Sequence, residues 1–136
     1  MNKELVIFSD GGARGNPGPA GIGVVIYDGS NKILKEIGRY IGSTTNNQAE
    51  YKALITGLEE AIDLKGHDLV CYLDSELVVK QMQGLYKVRE EGLKELATQA
   101  LKLTAKFVSV KFVHIPREKN KLADKLVNMA LDNAGF

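Results

Sequence analysis

The sequence predicts an α/β domain, a mixed sheet of five strands with helices packed on it. Three observations carry this. Five apolar or alternating runs read as strands, and four segments repeat their apolar residues at helical spacing. The elements follow one another as βββαβααβα, an opening hairpin and then strand–helix–strand crossovers. Residues 1–136 read as a single domain, long enough to bury a sizeable core.

Each element has its own signal. Residues 4–9 are mostly apolar on both faces, as expected of a strand inside a sheet. "AGIGVVIYD" (20–28) and "KILKEIGRYIG" (32–42) are β-branched runs separated by Gly-Ser-Asn, which reads as a hairpin. From Thr45 the period changes: Ala53, Leu54, Leu58, Ala61 and Ile62 place a helix over 45–64, ended by Gly66. "DLVCYLD" (68–74) is a further apolar strand, followed by a short helix around 75–83. Leu93, Leu96, Ala100 and Leu103 set a helix over 90–104, and "KFVSVKFVHI" (106–115) alternates like a fifth strand. Asn120 is the expected cap of a last helix over 121–133. No repeat, low-complexity tract or linker interrupts this order.

Composition narrows the class. The chain is 44% hydrophobic and 26% charged, ordinary for a globular protein. No apolar run approaches the roughly 18 residues of a membrane span, and the apolar part of "MNKELVIF" is short for a secretory signal. Cys71 is the single cysteine and sits in the apolar run "LVCYL", so it reads as a buried structural thiol. A reducing, cytoplasmic setting and a monomer are the expectation. The net charge of +1 does not announce nucleic acid. A polyanionic partner has to be met by a local patch, by neutral donors or by metal.

Four carboxylates stand out. Asp10 follows Val6 and Phe8 at period 2, and Asp74 closes the run "LVCYL". Adjacent parallel strands would bring these two together at their C-terminal ends, where open α/β sheets place their sites. Each alone reads equally as a cap of the turn or helix behind it. Glu50 lies on the same helical stripe as Leu54, Leu58 and Ala61. A carboxylate buried there needs a cation, a strong donor or a metal. Asp124 falls in the first turn of the last helix, where the helix dipole favours negative charge. Acidic groups gathered at a sheet end repel, and oxygen ligands of this kind suit Mg²⁺ or Mn²⁺. Two such cations held roughly 4 Å apart can serve phosphodiester hydrolysis.

Neutral donors surround these positions. Asn16 lies in the opening glycine-rich loop, and Thr45, Asn46 and Asn47 precede Glu50. Such groups stabilise turns, and they also read 2′-hydroxyls and base edges in a minor groove. Lys80, Lys87, Arg89, Arg117, Lys119 and Lys121 are solvated charge by default, but those at 117–121 lead directly into Asp124.

"DGGARGNPGPAG", "TTNNQAEYKALITGLEEA", "LDSELVVKQM" and "HIPREKNKLADKLVN", in this order over nearly the whole chain, together resemble type 1 ribonuclease H. The resemblance implies the ribonuclease H-like fold, with the first three strands antiparallel. It implies endonucleolytic hydrolysis of the RNA strand of RNA/DNA hybrids, leaving 5′-phosphate and 3′-hydroxyl ends. Asp10, Glu50, Asp74 and Asp124 would bind two Mg²⁺ ions, with Mn²⁺ a possible substitute. Asp10 would bridge both, Asp74 and Glu50 would hold the ion that activates water, and Asp124 the one beside the leaving 3′-oxygen. Glu50 would also accept a hydrogen bond from a ribose 2′-hydroxyl. Asn16, Asn46 and Asn47 match groove-reading amides and Thr45 a DNA-phosphate contact, while Gly11 and Gly12 would bring main chain against the minor groove.

Three departures stand beside the resemblance. "QGLYKVREEG" leaves room only for a shortened basic insertion, with Tyr86 and Lys87 as remnants, so weaker or more salt-sensitive hybrid binding is expected. Glu76 stands where many relatives carry a groove-reading glutamine. The family's mobile histidine has two candidate counterparts, His114 and Arg117. His114 belongs to a strand-like run and reads better as a structural strand-end residue, which leaves Arg117 in the loop for the turnover role.

A non-catalytic binding module on the same fold is the competing reading. It gains nothing from four concentrated negative charges. A nucleotide enzyme built on the glycine-rich tract fares worse, since no G-x-x-x-x-G-K-[ST] pattern is present and the tract runs into a strand.

Overall fold

The computed structural model describes residues 2–136. Its strands are β1 (Glu4–Ala13), β2 (Gly18–Asp28), β3 (Ile33–Thr44), β4 (Asp68–Leu73) and β5 (Ser109–His114). The helices are α1 (Asn46–Asp63), α2 (Glu76–Met82), α3 (Glu91–Thr104) and α4 (Lys121–Asn133), with a 3-10 turn at Arg117–Lys119. The five strands form one sheet in the order β3-β2-β1-β4-β5. β1, β2 and β3 pair antiparallel, while β4 and β5 run parallel to β1. This is the predicted ribonuclease H-like α/β class, a mixed sheet flanked by helices, with every predicted element in place.

Strand alternation decides what each face receives. Leu5, Ile7, Val24, Ile26, Leu69, Cys71 and Leu73 point to one side, where Tyr51, Leu54 and Leu58 of α1 and Leu93, Ala97 and Ala100 of α3 complete a buried core. Cys71 is wholly buried there, and burial pushes its thiol up to about 12, so it stays protonated and packs as a small apolar residue. On the opposite face α4 lies across β2 and β3.

The glycine-rich tract differs from its reading as a loop. β1 continues through Gly11, Gly12 and Ala13, and β2 already begins at Gly18, so only Arg14–Pro17 turns. Gly15, at φ +94°, supplies the left-handed residue of that turn. Glycine is a poor strand former, so the pairing has to be favoured by what packs on it. A Cβ at Gly11 would lie 2.2 Å from the backbone carbonyl of Ala49 in α1. One at Gly23 would lie 2.1 Å from the Ala123 carbonyl oxygen, and one at its strand partner Gly38 would lie 2.9 Å from that of Leu126. Bare strand backbone therefore seats two helices, and these helices carry Glu50 and Asp124.

Candidate active site

β1 and β4 run parallel with Ser9 opposite Leu73, so the next residues, Asp10 and Asp74, emerge side by side at the carboxyl end of the sheet. Neither is a cap. β1 simply runs on past Asp10, and Ser75 caps α2 by accepting from the Val78 N–H at 3.2 Å. Glu50 comes from the first turns of α1, held against Gly11. The three residues can offer one carboxylate oxygen each, all within 4.8 Å of one another.

Burial gives this trio its chemistry. Glu50 is only 8% exposed, and its Oε2 is buried with no hydrogen-bond partner among the described residues. Burial, then the charges of Asp10 and Asp74, push its carboxyl well above the ordinary range, with the Gly11 N–H opposing them. Asp10 is pushed up to about 7, first by burial and then by the Asp74 charge. Asp74 is raised by burial, against a hydrogen bond from Asn120 and the charge of Arg117. Three ionised carboxylates at this spacing are unfavourable without a cation. An all-oxygen donor set with one buried, unpaired oxygen fits a hard divalent ion.

Asp124 occupies the rim. It lies outside the trio, on the first turn of α4, with its side chain about one-third exposed. Arg117 Nη2 meets its Oδ1 at 3.4 Å, and the Asn128 amide donates to its backbone carbonyl at 3.1 Å. Asp10, Glu50, Asp74, Asp124 and Arg117 all line one cleft of about 600 Å³.

A family model described as reverse transcriptase-like matches residues 8–130. The crystal structure of ribonuclease H1 from the archaeon Halobacterium salinarum matches the fold with a TM-score of 0.93 at 42% identity, covering 96% of this chain and 98% of that one. The chain belongs to the ribonuclease H family. LC11-RNase H1, isolated from compost by a metagenomic approach, is 51% identical with a TM-score of 0.90 in its complex with an RNA/DNA hybrid. That match covers 96% of this chain and 98% of the LC11 chain. A bifunctional protein of Mycobacterium tuberculosis is 43% identical over 132 residues, or 96% of this chain. The chain spans only 36% of that relative's length.

In this ribonuclease H domain the predicted neutral donors are fixed by the protein itself. Asn16 Oδ1 accepts from the Asn46 N–H at 3.0 Å, and Asn46 Oδ1 accepts from the Ala13 N–H at 2.8 Å. Each amide oxygen thus already holds one backbone N–H, while both NH₂ groups stay free to donate to a ligand. Thr45 caps α1 in a capping box with Gln48, so its oxygen is engaged with the Gln48 N–H at 3.2 Å. Of these residues only Asn46 lines the cleft with Gly11 and Gly12; Asn16, Thr45 and Asn47 stand outside its lining. Gly11 is explained by α1 alone, whereas a Cβ at Gly12 would meet nothing closer than Val127 at 3.9 Å. His114 ends β5, exposed, and does not line the cleft. Glu76 accepts a hydrogen bond from the Tyr86 hydroxyl at 3.1 Å, joining α2 to the shortened insertion.

Two residues escaped the sequence reading. Asn128 stands four residues after Asp124 on the same helix face, a spacing that marks it in hindsight. Arg14 reaches the cleft from the β1–β2 turn, donates to Asn128 Oδ1 at 3.3 Å and pairs with Asp132 at 2.8 Å. Nothing local in its glycine-rich surroundings signals this. Asn120 is a correction. It stands at the cap position of α4, but its side chain makes no cap hydrogen bond.

Proposed function

We propose that this domain is an endoribonuclease that hydrolyses the RNA strand of RNA/DNA hybrids, leaving 5′-phosphate and 3′-hydroxyl ends. The observation that carries the reading is the buried trio Asp10, Glu50 and Asp74, with ligand atoms within 4.8 Å and one oxygen left without a partner. With Asp124 these residues would hold two divalent cations, Mg²⁺ in the cell and Mn²⁺ as a substitute. Cations so bound lower the pKa of a water and stabilise charge on a leaving oxygen.

The chain's own residues supply the rest. Glu50 is the acceptor suited to a ribose 2′-hydroxyl, which would tie cutting to RNA. Asn16 and Asn46, with free NH₂ donors, suit the acceptor atoms that every base pair shows in the minor groove, together with Asn47. Main chain at Gly11 and Gly12 would lie close to the duplex. The Thr45 hydroxyl keeps a proton for a DNA phosphate. Arg117, with a side chain 79% exposed beside Asp124, would meet the cleaved phosphate and help it leave. We take the enzyme to act as a monomer, and the single buried thiol accords with work in the cytoplasm. Among the described residues no helix is long and apolar enough to cross a membrane.

The test is incubation with end-labelled RNA/DNA hybrid, RNA/RNA and DNA/DNA in Mg²⁺, Mn²⁺ or EDTA. Metal-dependent cutting of the hybrid's RNA strand is expected. Absence of such cutting overturns the proposal in favour of a binding module.

A further inference from the structure

An asparagine at a helix cap ordinarily accepts from the N–H groups of the first turn. Asn120 does not. At φ −116° and ψ 33° its backbone stands aside, and its side chain is only 1% exposed. Its amide Nδ2 donates to the Ser9 carbonyl at 2.9 Å and to Asp74 Oδ2 at 3.2 Å. Its own Oδ1 is buried without a partner. The residue thus forgoes a cap, and leaves an acceptor unpaired, to join two strands at their carboxyl ends.

Those two contacts bracket the trio. Ser9 is the residue before Asp10, and one oxygen of Asp74 is taken by the amide, which leaves Oδ1 to face a ligand. Groups that hydrogen-bond a metal-binding carboxylate orient it and tune its affinity. Resting on the metal-site reading above, we propose that Asn120 is a positioning residue: it selects which oxygen of Asp74 faces the cation and fixes Asp74 against Asp10. The N-terminal end of the last helix, which carries Asp124 on the rim, then contributes to the buried half of the site as well.

The measurement is Mn²⁺ binding by calorimetry on the intact chain without substrate, beside thermal unfolding in EDTA. Asn120→Leu keeps the volume, removes the donor and also removes the unpaired acceptor, so unfolding is expected to move little. Mn²⁺ affinity is expected to fall about 10- to 100-fold. In an Asp74→Asn background the same substitution should add less than about twofold, because the carboxylate it orients is gone. A folded Asn120→Leu protein that binds Mn²⁺ like wild type overturns the inference while leaving the metal site standing. Wild type that takes up no Mn²⁺ removes the metal-site reading and this inference with it. Should the leucine variant fail to fold, the side-chain amide signals of Asn120 in isotope-labelled wild type decide. They are expected to be protected from exchange and to shift as Mg²⁺ is added; signals blind to Mg²⁺ overturn the inference.

Discussion

Asp10, Glu50 and Asp74 are crowded into a buried pocket at the sheet end, each with its carboxyl pushed up by burial. Asp124, on the same cleft, is partly open to solvent and has the Arg117 guanidinium and the Asn128 amide beside it. The two regions meet the same difficulty, concentrated negative charge, by different means. In the rim an exposed guanidinium of the protein supplies partial relief, which water screens and a ligand can displace. In the buried half the Gly11 N–H, the Asn120 amide and the Arg117 charge offset the crowding only in part, so a proton or a metal must supply the rest. The difference teaches where affinity for a cation is stored, in the half that the protein leaves unbalanced.

The largest effect follows from unbalancing that half. Asp10→Asn should lower kcat/KM on hybrid on the order of 1,000-fold, the kinetic equivalent of several kcal/mol of lost charge stabilisation. Its metal-free form at pH 8 should be at least as stable as wild type, since a repelled charge has gone. A fully active mutant would refute Asp10 as a ligand.

Next comes pH. The folded Asp10 carboxyl sits at about 7 against an ordinary 3.8, and Glu50 is displaced in the same direction. The folded state therefore holds protons that the unfolded chain has released. This contribution is fully present below about pH 4 and is lost as pH rises through about 7. Metal-free Tm should accordingly fall between pH 5 and 8, and Glu50→Gln should flatten the slope. Stabilisation by saturating Mg²⁺ should grow over the same interval, because the cation displaces those protons. A metal-free Tm that rises across this interval would contradict the buried charges.

The smallest effects belong to the rim. Arg117→Ala should reduce turnover about tenfold, the scale of one exposed charge-assisted contact, and more steeply at low salt. His114→Ala should stay within about twofold of wild type. A wild-type rate for Arg117→Ala sinks the arginine assignment, and the comparison of buried and rim groups then loses its rim.

Much of this was legible in the chain. Period-2 and helical spacing placed all the strands and helices, because those patterns report burial directly. The juxtaposition of Asp10 with Asp74 followed from two adjacent parallel strands. What stayed hidden was long-range. Gly11 looks like turn chemistry, and Gly23 and Gly38 carry no signal within their strands, until the helix backbones that press on them are seen. Asn120 reads as a cap because propensity is local, and its real partners are 111 and 46 residues away. Arg14 finds Asn128 over a separation of 114 residues, which no window of sequence spans. Capping of α2 by Ser75, not Asp74, was a choice between neighbours that composition left open.

Gly23 and Gly38 have one consequence of a different kind. The gap between α4 and the sheet is set by two missing methyl groups, so these positions act as a shim of zero thickness beneath the helix that carries Asp124. A Cβ at Gly23, 2.1 Å from the Ala123 carbonyl oxygen, has to push that helix out by on the order of an ångström to reach ordinary contact distance, while every carboxylate stays in the sequence. Spacing across the cleft can thus drift, or be engineered, through residues that touch neither substrate nor ion.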